Sequence, residues 1–397
     1  MTKEIIIFTR SLPHHSLGGM EIVTWDLARA LARTGSTVRV ITTSLPEYSS
    51  EFEEEGVTVV ALENTPSGKY SSLWWDESQR YFEKNCLHTT QAILSVSASG
   101  FGILPLKDKL PGIPIIMQAH GTSLGEISSK LRSYRLRSVL SSAKNFVWLP
   151  KDLLAYRKFD SVVAVGERVL RDLGKAPINW FLSPNKVHLI NNGIDTDIFK
   201  PSVEGRKKIR DMLGIDESTP VIISASRLHE QKNILNCIKA FFEFKKTEPK
   251  ALYLIAGDGP ERETLKALAN ELGISDSVRF IGSIDRKELA TWLHAADIFL
   301  FLTKHVEGLP LNVLEALASG LPAVVSEHLM LFESSALHYV SPNNFIKASQ
   351  ILKSIFIEKK HITESSLPEI FSLSHAAERY SDVLYPKSTK KNTHAYN

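Results

Sequence analysis

Cysteine is nearly absent. Cys86 and Cys237 are the only two in 397 residues and match neither a metal-ligand nor a redox spacing. That excludes a disulfide scaffold and fits a reducing compartment. Long apolar runs are missing too: no stretch approaches the roughly 20 residues that a membrane-spanning helix requires. Met1-Thr2-Lys3-Glu4 leads straight into a short apolar strand and not into a secretory leader, so a soluble, cytoplasmic protein is expected. Neither sign of charge dominates. The 47 Lys and Arg against 44 Asp and Glu leave a net +3, which implies no nucleic-acid partner. The three spaced glycines of a dinucleotide fingerprint do not follow the first strand, which argues against a nicotinamide oxidoreductase. The composition that remains, 43% hydrophobic and 23% charged, is that of a globular chain long enough for two or three domains.

What is present is a repeat of short apolar strands and amphipathic helices. Residues 4–9 are almost wholly apolar, as a central parallel strand covered on both faces should be. A loop rich in Ser, Pro and His ends in Gly18-Gly19, and a helix follows over 20–33 with Val23, Leu27, Ala30 and Leu31 at helical spacing. Further strands are expected at 37–42, 57–61, 92–96, 113–118, 160–165 and 186–190. Beyond a linker around Phe199-Lys200-Pro201 they recur at 221–225, 251–256, 278–281, 297–303 and 321–326. Residues 64–80 read as irregular and polar; the embedded Trp74-Trp75 suits either a packed loop or a sugar-stacking platform. Residues 374–385 suit a terminal helix and 387–397 a frayed tail. The reading is two βα-repeating halves, 1–195 and 196–373, with 374–397 as terminal helix and tail.

In open parallel sheets ligands sit at the carboxyl ends of the strands, and the candidate chemistry lies there. The organising stretch is Glu307-Gly308-Leu309-Pro310-Leu311-Asn312-Val313-Leu314-Glu315. Gly308 and Pro310 break the preceding strand, a helix follows, and Gly320 with Pro322 stops it. Glu307 and Glu315 then flank a helix start whose N–H groups favour an anion, which suits a ligand that is part sugar and part phosphate. Arg227 and Lys232 place two cations on one strand-to-helix loop, a planar fork and a point charge that can grip a diphosphate. Gly18 and Gly19 either let backbone amides approach an anion or only satisfy a turn. His120 ends a strand and either bonds a ligand hydroxyl or phosphate oxygen or is a core histidine. Asp195-x-Asp197 has the look of a divalent-metal pair but sits at a linker. The basic, amphipathic stretch 130–160 suits an anionic membrane surface or a plain solvated face.

Taken in order, Gly18-Gly19-Met20-Glu21, His120-Gly121, Asn192-Gly193-Ile194-Asp195, Ser226-Arg227-Leu228 with Lys232-Asn233, Gly257-Asp258-Gly259-Pro260, Phe280-Ile281-Gly282 and Glu307 to Glu315 resemble the retaining glycosyltransferases of family 4, over nearly the whole length. The resemblance implies the GT-B fold: two Rossmann-like domains facing across a cleft, the terminal helix crossing back to the first. It implies that Arg227 and Lys232 bind the diphosphate of a nucleotide-sugar donor, a UDP- or GDP-sugar, with the Gly19 backbone approaching it. Glu315 would hold the ribose. Gly282 to Ile284 would contact the base. Glu307 and the backbone of Gly308, Leu309 and Pro310 would hold the transferred sugar, with His120 beside it. No metal and no cofactor is implied. The acceptor would be a glycan or lipid-linked hydroxyl in cell-surface polysaccharide or lipopolysaccharide synthesis, with peripheral membrane contact through 130–160. Lys304, Leu309 and the run 327–333 depart from the family pattern. The rival readings are a GT-B phosphorylase, a nucleotide-sugar epimerase, and a binding protein without catalysis.

Overall fold

The apolar runs become the strands of two separate sheets. A computed structural model describes residues 3–16, 18–122, 143–305, 308–358 and 364–386. The chain divides into two compact units, one of Met1–Gly193 with Leu373–Asn397, the other of Ile194–Ser372.

In the first unit eight strands lie in the order β3-β4-β2-β1-β5-β6-β7-β8: β1 (Glu4–Phe8), β2 (Thr37–Thr43), β3 (Glu51–Glu54), β4 (Val57–Leu62), β5 (Thr90–Val96), β6 (Ile115–Ala119), β7 (Ser161–Ala164) and β8 (Val187–Leu189). All neighbours pair in parallel except the β3–β4 hairpin. The order reverses between β1 and β5. Alternation sends Ile5, Ile7, Val38, Val40, Leu94 and Ile116 to one face, under α1 (Gly19–Arg33) and the terminal helix (Leu373–Leu384). Ile6, Phe8, Ile93, Met117 and Val162 go to the other. That face is covered by α2 (Ser72–Asn85), a 3-10 segment (Ser97–Lys109), α3 (Ala143–Lys158) and α4 (Glu167–Leu173).

The second unit has six parallel strands in the order β11-β10-β9-β12-β13-β14: β9 (Val221–Ala225), β10 (Leu252–Ala256), β11 (Val278–Gly282), β12 (Ile298–Phe301), β13 (Ala323–Ser326) and β14 (Leu337–Val340). One face packs on α5 (Val203–Leu213), α8 (Arg286–Ala295) and α9 (Leu311–Ala318). The other packs on α6 (Ile234–Lys245), α7 (Arg262–Glu271) and α10 (Phe345–Ile357). The order reverses between β9 and β12, the topological switch point beside which ligands of open parallel sheets bind.

Two expectations need correction. Residues 64–80 are not irregular throughout: α2 starts at Ser72, capped by the Ser71 side chain, which accepts from Trp74 N. Trp74 is fully buried and its Nε1 donates to Ser99 O, while Trp75 Nε1 donates to Ala98 O. Trp74 thus belongs to the core of the first unit, while Trp75 is half-buried against it. The strand 321–326 is not the last, because β14 and α10 follow it. The terminal helix, α11 (Leu373–Leu384), joins the first unit and packs on α1. No helix of the described residues is long and apolar enough to cross a membrane.

Candidate functional site

In the second unit the crevice between β9 and β12 is built from loop tethers. The loop 226–233 leaves β9 over the β10 loop: Ser226 N donates to Ala256 O and Leu228 N to Asp258 O. That close passage needs glycine. Gly257 has φ +129, and a Cβ there would overlap the Ser226 carbonyl oxygen; a Cβ on Gly259 would overlap that of Leu228. Arg227 thereby stands exposed on the loop.

Lys232 ends a 3-10 turn (Glu230–Lys232). Asn233 follows in the left-handed region with φ +55, a conformation that Asn tolerates well. Its buried side chain donates to Leu302 O at 2.8 Å and Pro342 O at 2.9 Å. The carbonyl of Gln231 in turn accepts from Thr303 Oγ1 (3.0 Å) and from Lys304 N (2.8 Å). The Lys232 turn is thus lashed to the carboxyl end of β12, and Lys232 Nζ lies 5.5 Å above the Phe301 ring.

The loop after β12 leads to α9, whose N-cap is Pro310 with no side-chain cap. Asn312 in its first turn donates to Ala225 O at 2.7 Å, pinning the helix start to the end of β9. Gly308 is exposed, Leu309 half-buried and Pro310 buried. Glu307 lies outside the described residues. Glu315 is buried one turn further along, and its Oε1 accepts from Arg286 Nε at 3.0 Å and lies 2.9 Å from Arg286 Nη2. Arg286 opens α8 and stacks 4.9 Å over Phe199. It stands two residues after Ile284 in the chain, and its guanidinium ties the start of α8 to Glu315. Gly282 itself, φ +93, accepts from Gly257 N at 2.7 Å. The second unit therefore brings Arg227, Lys232, Gly308 to Pro310, Glu315, Gly282 and Ile284 to one end of its sheet. Sequence reasoning missed Arg286; the signal was the capping box of Asp285 and Glu288 that fixes the α8 start beside it.

In the first unit, Gly18 is the extended N-cap of α1 and Gly19 its exposed first residue. A Cβ on Gly18 would overlap Glu21 Oε2. Glu21 is buried and accepts from Ser11 Oγ at 2.7 Å, so its carboxylate is held close against Gly18. His120 follows β6, partly exposed, its Nε2 3.0 Å from Gln118 Oε1. Burial lowers its pKa to about 4, so the ring is neutral at physiological pH.

The buried Asp195 accepts from Asp197 N at 3.1 Å, an Asx turn at the junction of the units. Of the basic stretch 130–160, residues 123–142 lie outside the described residues. In its described part Lys151, Leu154 and Lys158 share an exposed face of α3. They border a cavity of about 350 Å³ walled by Trp75, Phe101 and Leu104.

Two family models match, one in each unit: Glycosyltransferase Family 4 over residues 17–198 and Glycosyl transferases group 1 over residues 205–348. The alpha-monoglucosyldiacylglycerol synthase of Streptococcus pneumoniae is 37% identical over 173 residues, 42% of this chain and 37% of that protein. The mannosylfructose-phosphate synthase of Agrobacterium fabrum is 27% identical over 341 residues, 80% of this chain and 73% of that protein. Among solved structures, sucrose-phosphate synthase from Thermosynechococcus elongatus superposes with a TM-score of 0.69 at 18% identity, over 96% of this chain and 98% of that one. With both units matched and the fold shared end to end, the chain belongs to glycosyltransferase family 4 and has the GT-B fold.

Proposed function

We propose that the protein is a retaining, metal-independent hexosyltransferase. It takes a sugar from a UDP- or GDP-sugar and places it on a hydroxyl of a glycan or lipid-linked acceptor in cell-surface polysaccharide or glycolipid synthesis. The observation that carries the reading is the set of tethers among Gln231, Asn233, Thr303 and Asn312, which hold two cationic side chains and an uncapped helix start at one topological switch point. A leaving diphosphate develops negative charge as the sugar becomes cationic. Arg227, Lys232 and the first amides of α9 are preorganised donors for that charge and need no metal.

Glu315, oriented by Arg286, is placed to accept from ribose hydroxyls, and the loop 282–284 to meet the base. Glu307 and the backbone of 308–310 are assigned to the transferred sugar. Retention follows from same-face attack, in which the departing phosphate oxygen takes the acceptor proton. A lipid-linked acceptor fits the apolar cavity bordered by Lys151 and Lys158, a face suited to an anionic lipid surface at the cytoplasmic side of a membrane.

The test is a panel of UDP- and GDP-sugars incubated with the full chain in excess chelator, scored for donor hydrolysis and transfer, with product anomers read by NMR. Turnover with retained configuration is expected. Inverted product, a requirement for inorganic phosphate, or epimerised donor without transfer overturns the reading. Flotation with anionic liposomes at low salt tests the membrane arm, and no binding removes it.

A further inference from the structure

On β6, Gln118 alternates with Ile116 and so shares its face of the sheet, the one covered by α1 and α11. His120 is the first residue past the strand's end. Gln118 is 1% exposed. Its Nε2 donates to the hydroxyl of Tyr380 on α11 at 2.7 Å, across 262 residues of sequence. Its Oε1 faces His120 Nε2 at 3.0 Å. Tyr380 is 3% exposed and packs among Leu27, Leu373 and Ala376, so the hydroxyl has little freedom to leave.

An amide oxygen facing a ring nitrogen accepts only if that nitrogen carries hydrogen, and the bond at one imidazole nitrogen sets the state of the other. We infer that Gln118, anchored by Tyr380 of the terminal helix, is a positioning residue that holds His120 as its Nε2–H tautomer and leaves Nδ1 as a hydrogen-bond acceptor for a substrate hydroxyl. Among the described residues nothing bonds Nδ1. Burial keeps the ring neutral, so the lone pair stays available at neutral pH. The inference deepens the proposed function and rests on it for the substrate. A hydroxyl of the donor sugar or of the acceptor is the group that a neutral imidazole nitrogen takes.

Two measurements test it. The first needs no substrate. Two-bond ¹⁵N–¹H spectra of histidine-labelled protein at pH 7, with His120→Ala to assign the ring, are expected to show Nε2 protonated and Nδ1 bare. A ring protonated at Nδ1, which the reversed amide of Gln118 would impose, or a doubly protonated ring overturns the inference.

The second is kinetic. Gln118→Leu is expected to lower kcat about tenfold with donor KM within about twofold, since one hydrogen bond near the reacting centre and not the diphosphate grip is lost. Tyr380→Phe, which keeps the packing, lowers kcat in the same sense. Gln118→Glu, which keeps an acceptor on Nε2–H, restores the tautomer in the spectra. In a His120→Ala background Gln118→Leu costs nothing further; costs that add in full mean that Gln118 acts independently of the ring and refute the assignment. A transfer-active enzyme with the other tautomer sinks only this inference. A chain inactive on every nucleotide-sugar sinks the functional reading while the ring's state is still read.

Discussion

Asn233 is the tether whose removal has the most calculable effect. Its amide donates to the buried Leu302 O and the half-buried Pro342 O. Pro342 O also accepts from Asn236 Nδ2 at 3.0 Å, so it stays bonded when Asn233 is truncated. Leu302 O would lose its side-chain donor. The first loss costs about 1–3 kcal/mol and the second about 1 kcal/mol. A left-handed alanine adds about 1 kcal/mol. Asn233→Ala should therefore destabilise the second unit by about 3–5 kcal/mol, and Asn233→Gly by less because the left-handed strain vanishes. Asn233→Asp matches the native volume but replaces the donating Nδ2 with an oxygen that faces both carbonyls. It should cost at least as much as Asn233→Ala. Hydrogen exchange by mass spectrometry of β9 and β12 peptides reads these differences, about tenfold in protection per 1.4 kcal/mol for amides that exchange through opening of the unit. Protection in Asn233→Asp within about threefold of wild type would mean that packing, not the two hydrogen bonds, holds the Lys232 turn, and the tether argument would fall.

Two further outcomes follow from named contacts. Arg286→Ala leaves the buried Glu315 carboxylate without its guanidinium; melting temperature should fall and affinity for the nucleotide drop at least about tenfold, checked by calorimetry, because a buried charge has lost its partner. Acid should also weaken the protein. The folded His120 ring binds its proton near pH 4 and the unfolded one near its ordinary 6.5, so between these values the unfolded chain holds more protons and stability falls as pH falls. His15, His188, His294 and His338 are likewise lowered by burial and act in the same direction. Chemical denaturation across pH 4–7 should show a loss with the sign given, and His120→Gln should flatten part of it.

Much of this architecture is legible in the sequence because buried parallel strands are apolar throughout: residues 221–225 are read from Val, Ile, Ile, Ser and Ala alone, and the strand falls at those bounds. The elements that escaped lack that signal. β3 is an edge strand written as Glu-Phe-Glu-Glu, half solvated. α2 fully buries Trp74 and Phe82 with the polar Ser78 between them, too sparse a stripe for periodicity, although the Ser71 cap was visible. β14 is four residues long with Tyr339 exposed. At the candidate site the loop positions of Arg227 and Lys232 follow from strand ends, whereas their restraints do not. Asn233 reaches Leu302 and Pro342, Arg286 reaches Glu315, and Gln118 reaches Tyr380. Pairings across such separations arise from topology and leave no local pattern.

The central claim is that Arg227 and Lys232 hold a diphosphate without a metal. Calorimetric titration of UDP against uridine, and of GDP against guanosine, in excess chelator tests it directly. The diphosphate is expected to raise the affinity of the matching nucleoside at least about 100-fold in the wild type, as charge-assisted bonds to two cations should. Arg227→Ala and Lys232→Ala should each remove most of that gain. An unchanged gain in both variants, or one that appears only when Mg²⁺ or Mn²⁺ is added, contradicts the account.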